Sequence, residues 1–292
     1  RSPTRIANKL FKKKIPFVLS PHGMLNPIAL SQSKLKKKLV WKLWEKESLN
    51  FANCFHALSL SEVNSIKKYF PSKKVALIPN SVNEIVFSKD YLPTPPWKDL
   101  IPENENVLLF LGRYHPGKGL KPLLNAWTSL GELTKKKGWW LVLVGYGDNN
   151  QLIKENEKNP IPRCKVFGPA FDLLKYSCYA NASAFILPSF FEALPMAALE
   201  AMNYKLPTLL SKACNLQENF KMGASIMSNP ENNEIANAIK QLVYLSDNER
   251  KEMGQLGRIL VCNNYSSEKV SESMIKFYNW ISFEENKPDF IM

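Results

Sequence analysis

The sequence predicts a parallel α/β protein of about two domains, and three observations carry this prediction. Short apolar runs of strand length alternate with segments of helical periodicity along most of the chain. The length of 292 residues corresponds to about two domains at ~150 residues each. The composition, 45% hydrophobic and 22% charged, is typical of globular proteins with a sizeable core and excludes a disordered chain.

In the first part of the chain, strands and helices alternate twice. Strands are predicted at 15–20, 55–59 and 75–78, with helices at 31–53 and 61–69 between them. The helix at 31–53 is basic and amphipathic, whereas the helix at 61–69 begins at a capping Ser61 with Glu62 in its first turn.

A proline-rich segment divides the two parts. Tyr91–Asn106 has four prolines among polar residues and is predicted to be an interdomain linker. The alternation then resumes, with strands at 107–111, 139–144, 166–167, 184–187 and 206–210 and helices at 120–130, 149–157, near Pro195 and at 267–281.

Several classes of protein are excluded by simple observations. No apolar run approaches the ~18–20 residues that a membrane-spanning helix needs, and no signal-like apolar segment follows the basic start, so we expect a cytoplasmic chain. The five cysteines are widely spaced, without a C-x-x-C pair, and are expected to be buried free thiols rather than zinc ligands or disulfides.

The net charge of +13 is concentrated at the N-terminal end, where the first 50 residues hold twelve basic and two acidic side chains. Two interpretations stay open. The lysines of the predicted 31–53 helix, with its leucines and tryptophans, would suit an anionic membrane surface. A charge run is equally often a solvated face. Nucleic-acid binding is disfavoured, because no recognised module is present.

Two loops that follow predicted strands carry charged groups suited to an anionic ligand. The first sets Arg113 and Lys118 in a glycine-bearing loop, which suits a diphosphate, although a solvated basic turn would look the same. In the second, Glu192 precedes a helix starting near Pro195 and Glu200 lies about two turns inside it. A structural role for these carboxylates is the alternative.

Two further loops give weaker signals. Gly145 follows a buried strand, where either a close ligand or a sharp turn explains a glycine. His22 follows the strand at 15–20, where it would face a cleft and contact a substrate hydroxyl. A lone histidine is more often a packed structural residue.

Taken together and in order, these loops resemble the retaining GT-B glycosyltransferases of family 4, also called glycosyl transferases group 1. The segment PSFFEALPMAALEAM is similar to the family's P-S-x-x-E-G-x-P … E-A-M signature, and GRYHPGKGL is similar to its G-R-x-x-x-x-K-G loop. The phrases SPHGML, LIPNSVN and SKACNLQENF resemble segments of envelope-polysaccharide members. The resemblance covers nearly the whole chain.

The resemblance implies a GT-B fold, in which two Rossmann-like domains face a cleft. The first, acceptor-side domain would be residues 1–95 and incomplete in this chain, because its opening strands and glycine-rich loop are not found. The donor-binding domain would be residues 96–275, and residues 276–292 would form a helix and tail packing back toward the first domain.

The resemblance also implies roles for individual residues. Arg113 and Lys118 would bind the donor diphosphate, Glu192 would contact the donor sugar, Glu200 would hold the ribose hydroxyls, and His22 would lie beside the transferred sugar. His22 and Glu192 would thus be the catalytic residues. The implied donor-binding set is completed by Gly112, Gly145, Phe167, Gly168, Ala193 and Leu194, with Phe167 and Gly168 at the base pocket. Ala193 stands where the family usually has glycine, so a positive φ there would be strained.

The implied reaction moves a hexosyl-type sugar from a nucleoside-diphosphate sugar to a hydroxyl acceptor with retention, in lipopolysaccharide, capsule or exopolysaccharide synthesis. The acceptor would be a carbohydrate or a lipid-linked saccharide, and the protein would lie in the cytoplasm, either free or peripheral on the inner face of the membrane. No cofactor and no metal are expected, since no D-x-D motif is evident. The alternative is a truncated, non-catalytic protein that binds a nucleotide sugar.

Overall fold

Two parallel sheets organise the chain in the computed structural model, which describes residues 2–25, 49–84, 86–147, 151–283 and 286–292. The chain folds into two compact units. The first combines Arg1–Ser81 with Ser267–Met292, and the second is Val82–Ser266. The parallel α/β class expected from the alternation of strands and helices is confirmed in both units.

The first unit has a three-stranded sheet of order β1-β2-β3 among its described residues. Both strand pairs are parallel, with Val18 opposite Cys54 and Phe55 opposite Val75. The elements are α1 (Ser2–Lys12), β1 (Val18–Leu19), β2 (Cys54–Ala57), α2 (Leu60–Tyr69), β3 (Val75–Leu77) and a C-terminal helix (Ser267–Phe283).

Each face of this small sheet is covered by a different helix, because successive strand residues point to opposite sides. Phe55 and Val75 pack with Ile66 of α2. Cys54 and Ala76 pack on the other side with Phe277 of the C-terminal helix. Val270, Met274 and Ile281 pack against the same cluster and lie at helical spacing, so they mark the side of that helix that faces the sheet.

The first unit differs from the sequence-based expectation in three details. Helix α1 was not predicted, and β1 is shorter than the expected 15–20 strand. The residue capping α2 is Ser59 rather than Ser61, because the Ser59 hydroxyl accepts the backbone N–H of Glu62. The predicted basic helix at 31–53 lies largely outside the described residues.

The second unit has a six-stranded parallel sheet of order β6-β5-β4-β7-β8-β9. Its order reverses between β4 and β7, which is the topological switch point where ligands bind in doubly wound sheets. The elements are β4 (Asn106–Arg113), α3 (Leu120–Ser129), α4 (Gly131–Lys136), β5 (Trp139–Tyr146), α5 (Gln151–Lys158), β6 (Cys164–Phe167), α6 (Asp172–Ala180), β7 (Ala184–Leu187), α7 (Met196–Asn203), β8 (Thr208–Leu210), α8 (Gln217–Lys221), β9 (Ser225–Met227), α9 (Asn232–Tyr244) and α10 (Asp247–Asn264).

The expected strands and helices of this unit are present. The structure adds β9, whose three residues are too few for a clear periodic signal, and four helices that were not predicted, α4, α8, α9 and α10. The proline-rich segment is not a free linker, because Trp97 and Ile101 within it are buried. Its Pro93 carbonyl also accepts a 2.5 Å hydrogen bond from Ser177 Oγ. Residues 82–95 therefore belong to the second unit and 267–275 to the first, unlike the bounds expected from the sequence.

Within the described residues, no helix combines the length and the apolar character that crossing a membrane requires. Four of the five cysteines are buried free thiols, as expected, and Cys262 is half-buried.

Candidate active site

The loops that follow β4 and β7 lie at the switch point of the second sheet, where the strand order reverses. Backbone contacts join them. The N–H of Phe190 donates to the Gly117 carbonyl at 2.9 Å. Gly119 has a φ of 72°, and a Cβ placed on it would lie 2.0 Å from the Pro188 carbonyl oxygen. The two predicted loops are therefore packed backbone to backbone.

Lys118 and Glu192 form an ion pair between these loops, with Nζ 2.6 Å from Oε1. Their side chains retain 23% and 10% of their exposure, so the pair is partly withdrawn from solvent but reachable. Two residues chosen from separate motifs thus meet in one site. The pairing leaves each charge compensated before any ligand arrives.

Glu192 is fixed by its neighbours on both backbone and side chain. Ser189 Oγ donates to Oε1 at 2.6 Å, and Asn215 Nδ2 donates to the Glu192 carbonyl at 2.7 Å. The N–H of Glu192 donates to the carbonyl of Ala213. Within the described residues, every hydrogen bond to the carboxylate ends on Oε1, so Oε2 keeps its acceptor capacity for a ligand.

Arg113 ends β4 with its side chain exposed, and within the described part of the chain its guanidinium has no hydrogen bond or ion pair. It lies opposite Tyr146 in the β4–β5 register. An exposed guanidinium without a partner offers five N–H donors in one plane and can form two parallel hydrogen bonds to a phosphate.

Ala193 and Leu194 connect Glu192 to helix α7. Their backbone N–H groups donate no hydrogen bond within the described residues. Ala193 is not among the described residues with positive φ, so its side chain brings no backbone strain there. Pro195 is the N-cap residue of α7, one position before the predicted first turn. The two free N–H groups suit an anionic ligand.

Glu200 lies inside α7 and is paired rather than free. Lys175 Nζ donates to Oε1 at 2.7 Å, and the hydroxyl of Tyr179 donates to Oε2 at 2.9 Å. Both donors belong to α6, four residues apart, so they share one face of that helix. Neither donor was singled out from the sequence, although their spacing is visible there.

The three predicted donor-site glycines differ in whether a side chain would fit at their positions. A Cβ on Gly145 would lie 1.9 Å from the Gly112 carbonyl oxygen, so this glycine allows β4 and β5 to end in close contact. Gly112 itself would accept a side chain, with Phe110 atoms at 3.7 Å, and Gly168 has nothing within 4 Å. Gly145 is therefore required by packing, and the other two are not.

Tyr114, which no sequence pattern singled out, joins the predicted base pocket to the basic loop. It is buried, its N–H donates to the Tyr146 carbonyl at 2.7 Å, and its hydroxyl donates to the Phe167 carbonyl at 2.6 Å. The N–H of Gly145 donates to the Gly168 carbonyl at 3.2 Å. The ends of β4, β5 and β6 are thereby held in one arrangement, while the base pocket itself stays a prediction.

His22 lies in the first unit with an exposed side chain and a φ of 48°, which is unusual outside glycine. The buried carboxylate of Glu62 accepts the Gly23 N–H at 2.6 Å through Oε1 and the Leu58 N–H at 2.9 Å through Oε2. Glu62 thus ties the loop of His22 to the start of α2. The sequence suggested Glu62 only as a first-turn acidic residue.

His56, adjacent to this loop, is held in one tautomer. Its Nε2 lies 2.8 Å from the Ile78 carbonyl oxygen and must donate to it, so Nδ1 accepts from Ser20 Oγ at 3.0 Å. Burial lowers the pKa of His56 and is the largest influence on it. The hydrogen bond to the Ile78 carbonyl acts in the opposite direction and is the next largest. Among the described residues, no cluster of three or more His, Cys, Asp or Glu side chains could hold a metal ion.

Family models match both parts of the chain. A family model described as glycosyl transferases group 1 matches residues 94–259, and one described as glycosyltransferase family 4 matches residues 2–84. The amylovoran biosynthesis glycosyltransferase AmsD of Erwinia amylovora is 24% identical over 70% of this chain and 53% of its own length. The lipopolysaccharide 1,2-N-acetylglucosaminetransferase of Salmonella typhimurium is 27% identical over 69% and 55%. The chain thus spans about half the length of the curated relatives it matches.

Solved structures agree on the fold. Sucrose-phosphate synthase from Thermosynechococcus elongatus superposes with a TM-score of 0.75 at 21% identity, covering 95% of this chain and 71% of that one. Anabaena Alr3699/HepE, in complex with UDP and glucose, gives 0.73 at 18% identity, covering 95% and 75%. These similarities confirm an α/β fold of the GT-B class. Since the first family model spans more than half of the residues, the chain belongs to the glycosyl transferases group 1 family.

Proposed function

We propose that this chain transfers a hexosyl-type unit from a nucleoside-diphosphate sugar to an acceptor hydroxyl, with retention at the anomeric carbon. The observation that carries the proposal is the Lys118–Glu192 ion pair at the switch point, with Arg113, unpaired among the described residues, at the end of the strand that leads into the Lys118 loop. A cation pair that can receive a diphosphate and a carboxylate that can receive sugar hydroxyls are the two groups that such a donor requires.

In this proposal the protein acts on the leaving group rather than through a covalent bond. As the bond from the anomeric carbon to the diphosphate breaks, negative charge grows on the departing oxygen. Arg113 and Lys118 stabilise that charge, together with the N–H groups of Ala193 and Leu194. Lys118 is already held by its ion pair with Glu192, so little reorganisation of its ammonium group accompanies the step. A metal ion or cofactor has no part in the proposal.

Glu192 orients the sugar and does not attack it. Its Oε1 is engaged by Lys118 and Ser189, which leaves Oε2 to accept hydrogen bonds from sugar hydroxyls. The acceptor hydroxyl attacks on the same face from which the diphosphate leaves, giving retention, and its proton passes to the departing phosphate oxygen. His22 lies in the first unit on a loop that Glu62 fixes, and its role beside the transferred sugar stays a prediction.

The acceptor is proposed to be a carbohydrate or lipid-linked saccharide of the cell envelope. The support is that two relatives are named for amylovoran and lipopolysaccharide synthesis.

We further propose a peripheral position on the inner face of the membrane, since α1 exposes Ile6 and Phe11 beside Lys9 and Lys12. Phosphatidylglycerol vesicles should co-sediment the protein and phosphatidylcholine vesicles should not. Equal binding to both would contradict this surface.

The reaction is tested by incubating the chain with UDP-glucose, UDP-N-acetylglucosamine and GDP-mannose and measuring nucleoside diphosphate release. At least one donor should be turned over, and Glu192→Gln should lower its kcat by more than about 100-fold. Glu252→Gln, an exposed carboxylate on α10, is the matched control and should keep full activity. Unchanged turnover in Glu192→Gln would contradict the assignment, and binding without any turnover would favour the non-catalytic alternative.

A further inference from the structure

Glu200 is held by two donors of different character, both on α6. The Tyr179 hydroxyl lies 2.9 Å from Oε2, and Lys175 Nζ lies 2.7 Å from Oε1. Each carboxylate oxygen can accept two hydrogen bonds. The described donors therefore leave one acceptor position on each oxygen, which is the arrangement that a pair of neighbouring hydroxyls needs.

The Tyr179 contact is rigid. Its side chain is fully buried and packs against Phe185 and Tyr204, with ring centroids 6.1 Å and 5.8 Å away. Burial raises the pKa of Tyr179 well above its usual value, and the adjacent Glu200 raises it further. The hydroxyl therefore stays protonated and always donates to Glu200.

The Lys175 contact is less rigid than the Tyr179 contact. The Lys175 side chain keeps 24% of its exposure and has a long flexible stem. It can follow the carboxylate or turn toward solvent, so it neutralises the charge of Glu200 without fixing its orientation. Of the two donors, only Tyr179 is built to set the carboxylate plane.

We propose that Tyr179 is a positioning residue for donor recognition, which orients Glu200 so that its two remaining acceptor positions meet the vicinal 2′- and 3′-hydroxyls of the nucleotide ribose. This inference rests on the proposed function and on the role that the family resemblance implies for Glu200, which is to hold the ribose hydroxyls. In this inference, Tyr179 makes the site prefer a ribose that carries both hydroxyls. Lys175 contributes an electrostatic attraction that is the same for the ribose and the dideoxyribose forms of a nucleotide.

The test compares UDP, GDP and ADP with their 2′,3′-dideoxy counterparts by isothermal titration calorimetry. The wild-type chain should bind at least one ribose form more tightly than its dideoxy form. Tyr179→Phe should reduce that preference about fivefold to tenfold while leaving the affinity for the dideoxy form within about twofold, because a charge-assisted hydrogen bond is lost. A partly unfolded variant would lose both affinities equally, so the ratio reports the ribose contact and not stability.

Two control variants sharpen the comparison. Tyr204→Phe removes a hydroxyl from the same aromatic cluster without touching Glu200 and should keep the wild-type ratio. Lys175→Met should change both affinities by the same factor. A wild-type ribose preference in Tyr179→Phe would overturn the inference and leave the proposed function intact. If the wild-type chain bound none of the three diphosphates, the proposed function would fail and the inference with it.

Discussion

Lys118 and Glu192 are 74 positions apart in sequence, yet Nζ of one lies 2.6 Å from Oε1 of the other. Each belongs to a loop after a parallel strand, and β4 and β7 are adjacent in the sheet. Strand order thus converts two separated motifs into one site. The ammonium of Lys118 uses one of its three donors on Glu192, so within the described residues two remain for a ligand diphosphate while the pair keeps both groups oriented and partly desolvated.

Replacing Lys118 by alanine should weaken binding of a nucleoside diphosphate about 10-fold to 100-fold, because a charged hydrogen bond contributes ~1.5–3 kcal/mol. Calorimetric titration with UDP, GDP and ADP measures the change. Lys121→Ala, an exposed lysine on α3, is the matched control and should bind as the wild type does. If both variants bound equally well, Lys118 would have no part in the donor site.

The two predicted donor-site glycines Gly145 and Gly168 should respond oppositely to alanine. Gly145→Ala places a Cβ 1.9 Å from the Gly112 carbonyl oxygen, whereas nothing lies within 4 Å at Gly168. We expect Gly145→Ala to lower the free energy of unfolding by about 2 kcal/mol or more and Gly168→Ala by less than ~0.5 kcal/mol. Urea denaturation followed by circular dichroism checks both, and equal stabilities would refute the close approach of β4 and β5.

Glu62→Gln should destabilise the first unit by roughly 1.5–3 kcal/mol, because two backbone N–H groups lose a charged acceptor. The NH₂ group of the new glutamine also faces the backbone N–H of either Gly23 or Leu58. Both of these groups are donors, so one hydrogen bond is replaced by a donor–donor contact. Glu272→Gln on the exposed face of the C-terminal helix is the control and should be neutral. Equal denaturation midpoints for the two variants would show that Glu62 does not hold the His22 loop.

The pKa of His56, lowered by burial, predicts a loss of stability in mild acid. The unfolded chain takes up a proton near pH 6.5, at which the folded His56 stays neutral, so acid favours unfolding. This contribution is fully present above about pH 6.5 and is lost as the pH falls below it. The free energy of unfolding should therefore be lower at pH 5.5 than at pH 7.5.

Substitution isolates the share of this pH dependence that belongs to His56. His56→Gln should flatten the decrease between pH 7.5 and pH 5.5, whereas His115→Gln, at an exposed position, should leave it unchanged. A decrease of the same size in both variants would assign the acid sensitivity to other groups.

Much of the fold follows from sequence periodicity. The strand at Ala184–Leu187 and the helix at Leu120–Ser129 match their predicted positions closely, because the first is a wholly apolar run and the second shows a helical period. Short elements such as Ser225–Met227 carry too few residues to show a period. The segment around Trp97 was expected to be a linker, since prolines indicate irregular backbone but do not reveal whether that backbone packs.

The charged residues of the candidate site could be predicted from the sequence, whereas the residues that hold them in position could not. Arg113, Lys118 and Glu192 stand out because charges in loops after strands suggest a ligand. Tyr114 and Tyr179 act through single hydroxyl groups on carbonyl or carboxylate partners more than 20 positions away. No local pattern reveals such partners, because only the packing of the strands and helices brings them together.

Donor recognition is tested most directly by titrating the chain with UDP, GDP and ADP and with the corresponding monophosphates. We predict that at least one diphosphate binds about tenfold or more tightly than its monophosphate, and that this difference disappears in the double variant Arg113→Ala/Lys118→Ala. A wild-type chain that binds none of the diphosphates, or a double variant that keeps the full difference, would contradict the account.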